Sequence, residues 1–224
     1  MLTRRIIRLI AAAAIGSSAL LALPSLVAAS CNPHRVDDNN YYWTYVGQGP
    51  GTSVGGVVSN IWNYAPYVPT GRFSYSWVML TLNANYWAQI GNYEAVQGRS
   101  VYLQYQDGAP PAHFASFGPQ PIGFSTYEVE AIGGLFSYYD AGTLVFTHSA
   151  SWVPRVGQFS SEIPSLNTQM MGAINNAVDF LGNKMFYNGA WHNLAGSLTN
   201  TGSAYFGMSG TATSFATWDK ACSN

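Results

Sequence analysis

The sequence predicts an all-β domain, a sandwich or barrel of short antiparallel strands, and two patterns carry that expectation. Segments rich in Val, Ile, Tyr, Phe and Trp alternate their side chains between two faces, as half-buried strands do. Gly, Pro and Asn interrupt these segments about every ten residues, the turn spacing of sandwiches and barrels.

Residues 1–30 read as an export signal rather than part of that domain. Arg4, Arg5 and Arg8 make a basic start, Leu9 to Leu23 is apolar, and Pro24 breaks the run before the small residues Ala28, Ala29 and Ser30. A signal peptidase reads that order, because its cleft admits only small side chains beside the cut. The apolar stretch is short for a membrane span. Residues 31–224 then form one domain, long enough for a single sizeable core.

A polar opening, Asn32 to Asn40, leads into Tyr41-Tyr42-Trp43 and a Gly-rich link from Gly47 to Gly56. Val57 to Trp62 reads as a strand ended by Pro66 and Pro69. Phe73 to Leu82 alternates, with Phe73, Tyr75, Trp77 and Met79 on one face. Trp87 to Tyr93 and Val101 to Tyr105 follow, the latter closed by Asp107-Gly108. Phe124 to Ile132 and Leu135 to Tyr139 flank Gly133-Gly134, a hairpin turn. Thr143 to Ser151 places Leu144, Phe146 and His148 on one face. From Thr168 to Leu181 the apolar residues fit helical spacing, but Gly172, Asn175-Asn176 and Gly182 interrupt it. The segment is therefore read as a loop followed by a strand from Val178 to Tyr187.

Two cysteines remain beyond the signal, Cys31 and Cys222. In an exported chain an even count is most simply a bridge, lipidation of Cys31 being the alternative. A loop that long stabilises by about 4–5 kcal/mol in the chain-entropy model, and it needs the two ends to meet. Without the signal, six basic residues face ten acidic ones, a formal charge of −4. No basic cluster remains, so nucleic acid is excluded as the expected partner, as is an anionic membrane surface. Charged residues are only 8% of the chain, so the surface is covered mainly by uncharged polar groups and stability is expected to vary little from mild acid to neutral pH.

Conventional constellations are absent. His34, His113, His148 and His192 are scattered, with no pair at metal-ligand spacing, and no metal or cofactor is expected. There is no free cysteine nucleophile, nucleophile elbow or phosphate loop. Glu128 and Glu130 share a strand face and read as a solvent-side pair. Two residues stand apart. Glu162 lies in Gln158-Phe159-Ser160-Ser161-Glu162-Ile163-Pro164, an otherwise uncharged segment read as a loop. Gln89 lies on an aromatic-rich strand, where an inward amide must find a partner.

These residues carry a resemblance. Ser76-Trp77-Val78 followed by Trp87-Ala88-Gln89-Ile90-Gly91 resembles the Trp-Val…Gln-x-Gly block of the eqolisins, the fungal glutamic peptidases. Val101 to Tyr105 resembles their next aromatic strand, with Gln104 where they carry Glu. Ser161-Glu162-Ile163 falls where they have Ala-Glu-Trp-Ile. Glu162-Ile163 through Thr168-Gln169-Met170-Met171-Gly172 also resembles neprosin-type plant proteins, which have Glu in place of Gln89. The resemblance spans about Val57 to Trp191 as pattern and order. It implies a concanavalin A-like antiparallel β-sandwich (jelly roll) of two packed curved sheets. It further implies that Gln89 and Glu162 face each other on the concave sheet as the catalytic pair, with Trp77, Trp87 and Tyr105 binding substrate. The expected function is that of a secreted, metal-independent endopeptidase acting on polypeptides. The alternatives are a polysaccharide-binding module using the same aromatic face, or a non-catalytic extracellular or envelope protein on that scaffold.

Overall fold

The computed structural model describes residues 31–33 and 35–223. The export signal expected over residues 1–30, and His34, lie outside the described residues. Among the described residues there are fifteen strands and no helix, hence none long and apolar enough to cross a membrane.

The strands are β1 (Tyr42–Gln48), β2 (Gly56–Asn63), β3 (Ser74–Asn83), β4 (Tyr86–Ala95), β5 (Gly98–Asp107), β6 (His113–Pro119), β7 (Gly123–Ile132), β8 (Leu135–Asp140), β9 (Thr143–Ser149), β10 (Val156–Ile163), β11 (Val178–Tyr187), β12 (Ala190–Asn193), β13 (Ser197–Asn200), β14 (Phe206–Gly210) and β15 (Phe215–Asp219). One sheet has the order β13-β1-β10-β3-β4-β5-β6. The other runs β14-β15-β11-β2-β7-β8-β9, with β12 added beside β11. All pairings between these strands are antiparallel, as the alternating pattern requires.

The core lies between the sheets. Val78, Leu80, Ile90 and Leu103 point inward from the first sheet, and Ile61, Tyr127, Val129 and Phe180 from the second, all fully buried. The alternate residues of the first sheet point the other way and floor a trough. Gly91 marks a tight spot in that sheet: a Cβ there would lie 1.9 Å from the Ser76 carbonyl oxygen, so only glycine lets β3 and β4 approach.

Loop and ends close on each other. Cys31 and Cys222 are joined by a disulfide, their Cα atoms 5.6 Å apart, which excludes the lipidated alternative for Cys31 in this form. Arg35 forks onto the fully buried Asp219, at 2.5 and 2.9 Å, and lies over the rings of Tyr205 and Phe206. Thr168 to Met171 forms a buried plug. Gln169 uses its whole amide there: Oε1 accepts from the N–H of Cys31 and Tyr67, while Nε2 donates to the Tyr64 hydroxyl and the Gly172 carbonyl.

The residue forecast holds in its large strands and needs correction elsewhere. Glu162 is not in a loop: it sits on β10, whose small, polar Ser160, Ser161 and Gly157 disguise the strand's alternation. Strand β6 has no buried residue, and it went unread because edge exposure removes the pattern.

Candidate active site

The trough encloses about 760 Å³ over β1, β10, β3, β4 and β5. Its floor is built by register. Gln158 pairs with Met79, Met79 with Gln89, and Gln89 with Gln104, giving a band of three amides and a methionine across four strands. Beside it runs an aromatic flank of Trp43, Tyr75 and Trp77, and Trp87 closes the other side. Glu162 is the sole ionisable carboxylate among the described residues lining the trough, and no Lys, Arg or His joins it.

Glu162 is held from both faces of β10. On the opposite side of the strand, Ser161 shares hydroxyl hydrogen bonds with Ser76 and Thr217, both at 2.9 Å, so β10 is pinned to its neighbour and to the second sheet. Just beyond β10, Asp38 accepts hydrogen bonds from the Ser165 hydroxyl and the Leu166 N–H. On the trough side, the Trp77 indole N–H donates to Glu162 Oε2 at 3.0 Å. Burial pushes the Glu162 carboxyl above its ordinary range, and the Trp77 bond partly opposes that rise. The result is a carboxyl with one oxygen bound and one open to the trough.

Gln89 is nearly buried, at 7% exposure, and its Nε2 donates to the Tyr102 hydroxyl at 2.9 Å. Its oxygen and second N–H remain for the trough. Gln89 and Glu162 lie on one diagonal with Trp77 between them, because Trp77 is two residues from Met79 on β3 and its partner Ser160 is two residues from Glu162 on β10. Two strand spacings separate the pair, roughly 10 Å of backbone before the diagonal offset. Among the described residues no hydrogen bond joins the two side chains directly.

Four of the five expected site residues therefore line the trough: Gln89, Glu162, Trp77 and Trp87. Trp77 does a different job from the one expected. It is only 6% exposed, and its indole N–H is committed to the carboxylate. Tyr105 is a correction. The two-residue period of β5 puts Gln104 in the trough and turns Tyr105 toward the core side, where it stacks between His113 and His148 at ring-centroid distances of 4.7 and 3.9 Å. His148 is structural there, its ring near Asp107 at 3.3 Å and the Tyr138 hydroxyl at 3.2 Å. The outer pair is also less solvated than expected: burial, then the neighbouring Glu130 charge, raises the Glu128 carboxyl. Tyr102, Gln158, Trp43 and Tyr75 were missed, although Tyr75 lay on the face already marked by Trp77 and Met79.

Among the described residues no group of three or more His, Cys, Asp or Glu is placed to hold a metal ion. No family model matches the chain, and no curated protein matches it. Solved structures do. Scytalido-glutamic peptidase with a transition-state-analogue inhibitor matches at 11% identity over 82% of this chain and 100% of that one, with a TM-score of 0.59. The same peptidase with a peptide-based transition-state analogue gives 13% identity, the same coverage and a TM-score of 0.55. SCP-B, an eqolisin-family peptidase in complex with the tripeptide Ala-Ile-His, gives 11% identity, again with 82% and 100% coverage, and a TM-score of 0.57. At such identities the likeness speaks for the fold alone, and the chain shares the β-sandwich fold of the glutamic peptidases.

Proposed function

We propose that this is an exported endopeptidase of the glutamic type, in which Glu162 and Gln89 hydrolyse a peptide bond laid along the trough. The observation that supports the reading is the unspent hydrogen-bonding capacity of these two side chains, opening on one trough that among the described residues is lined by no other carboxylate. The solved neighbours carry peptide-based ligands, as their names state. A bridged chain with an export signal fits an extracellular place of work.

The chemistry follows from the groups. The Glu162 carboxylate takes a proton from a water, whose oxygen forms a bond to the substrate carbonyl carbon. The carbonyl electron pair moves onto its oxygen, and the free N–H of Gln89 donates to that oxyanion. Collapse of the tetrahedral intermediate breaks the C–N bond, and the protonated Glu162 returns its proton to the leaving amine. Neither step calls for a metal ion. The raised carboxyl makes Glu162 a stronger base than an ordinary glutamate, and it places the loss of the active, ionised form at higher pH than for a solvated one.

The test is incubation of the mature domain with a denatured protein from acid to neutral pH, beside Glu162→Gln, with fragments read by mass spectrometry. Fragments from the native chain and none from Glu162→Gln are expected. Equal fragment yields from both would overturn the mechanism. A second reading, polysaccharide binding, is favoured by the exposure of Tyr41 and Trp43, at 59% and 37%, on the trough's rim. It differs in one respect that can be measured: glycan binding would survive Glu162→Gln and fail on removal of the aromatics.

A further inference from the structure

We infer that Tyr102 is a positioning residue for the Gln89 amide: its buried hydroxyl takes one Gln89 N–H and so decides which amide atoms face the trough. The inference rests on the reading of Gln89 and Glu162 as a working pair. A glutamine's terminal torsion is broad and two-fold, so an amide without a fixed partner presents oxygen or nitrogen interchangeably. Gln89 has such a partner, 2.9 Å away.

That partner cannot retreat. Tyr102 is fully buried, and its ring is packed against Tyr75, Tyr93 and Phe114 at centroid distances of 5.1, 5.7 and 5.9 Å. Its oxygen accepts from Gln89 with a lone pair and keeps one proton to donate elsewhere. Burial, and next the charge of Glu162, hold the phenol well above the ordinary tyrosine range, so it stays protonated wherever the protein is folded. The hydroxyl thus lies in the field of the Glu162 carboxylate, and its O–H dipole is favoured when it points to that side. The N–H spent on Tyr102 leaves Gln89 one N–H for an oxyanion and its oxygen for a water proton. The reverse orientation, with the amide oxygen turned onto the phenol, would leave Gln89 no acceptor of its own to orient that water.

Tyr102→Phe keeps the ring stack and removes only the oxygen. Side-chain amide and carboxyl NMR reads the bond without turnover. In the native chain the Gln89 NH2 pair should be widely split and protected from exchange, and in Tyr102→Phe it should collapse toward the values of a free amide. The Glu162 carboxyl should titrate at higher pH in Tyr102→Phe, because a neutral dipole favouring its charge is gone. If both signals stay unchanged, the inference is overturned. Kinetics adds a second reading: kcat should drop about tenfold to a hundredfold with KM nearly constant, the cost of a misaimed group. Native kcat in Tyr102→Phe, with Glu162→Gln inactive, would sink the positioning role and leave the peptidase reading standing. Spectral changes with no turnover in the native chain would do the opposite. Should Tyr102→Phe not fold, the same bond is read from its other end, since the Tyr102 ring-carbon resonance beside the hydroxyl must move in Gln89→Ala, and a fixed resonance would refute the contact.

Discussion

Two glutamines in this molecule look alike in sequence and live differently in the fold. Gln169 is fully buried and spends both ends of its amide on the chain, tying Cys31, the Tyr64 and Tyr67 segment and the Gly172 turn into one plug. Gln89 is nearly as buried but spends one N–H, on Tyr102, and turns the rest to the trough. Burial alone does not separate a structural amide from a working one; the unspent valence does. The same contrast divides the acids. Asp219 is fully buried and held by Arg35 and the backbone N–H groups of Met170 and Ala221, whereas among the described residues Glu162 has one hydrogen-bond partner, Trp77.

Removing the saturated amide should do the most damage to the fold. Gln169→Ala removes four hydrogen bonds and leaves the part-buried N–H groups of Cys31 and Tyr67 without their acceptor, so urea unfolding should show a loss of about 3 kcal/mol. Gln89→Ala loses one bond and should cost about 1 kcal/mol. If the two losses were equal, the contrast would break. On activity the order inverts: Glu162→Gln should reduce turnover by about 10²- to 10⁴-fold, the range of a positioned acid–base group, while its melting temperature at pH 7.5 does not fall. Trp77→Phe sharpens the point. It removes the one bond that favours the Glu162 charge, so the carboxyl should rise further and the acid limb of kcat/KM should move to higher pH.

The smallest expected effect concerns pH and stability, and it revises the flat profile that low charge content predicts. Burial raises the Glu94 carboxyl to about 7, with Arg99 partly opposing it, and burial also raises Glu162, Glu128 and Asp179. A carboxyl raised in the folded state binds more protons there than when unfolded, so its burial costs nothing below the unfolded value, and stability falls as pH climbs toward the folded one. Asp37 and Asp38, lowered by hydrogen bonds, act in the opposite sense at lower pH. The melting temperature should therefore decline by a few degrees between pH 5 and 8, and Glu94→Gln should flatten that slope. A slope that stays the same in the variant would assign it to another group.

The fold was legible where large apolar residues alternate, as in Phe73 to Leu82 and Phe124 to Ile132, because one buried face leaves a period of two in the sequence. The interrupted segment after Thr168 also resolved as read, a loop and then β11 from Val178 to Tyr187, its glycines outweighing the helical spacing. β10 was hidden because its inward residues include Gly157 and Ser161, and Ser161 hydrogen-bonds to Ser76 and to Thr217 of the second sheet instead of filling volume. At the site, Glu162 stood out as a carboxylate in an otherwise uncharged segment and Gln89 as an amide on an aromatic-rich strand, and the resemblance then paired them. Tyr105 was placed one residue off, and on a strand one residue is the other face. Tyr102 was unreadable, since nothing in sequence says which tyrosine reaches a given amide.

A double-mutant cycle on kcat/KM with a fluorogenic peptide asks most directly if the trough works as one machine. Gln89→Ala, Glu162→Gln and the combined variant should show a combined loss no larger than the worse single loss, as residues acting in one step do. Losses that multiply, or a native chain with no turnover to lose, would contradict a shared reaction centre on the hollow side of the sandwich.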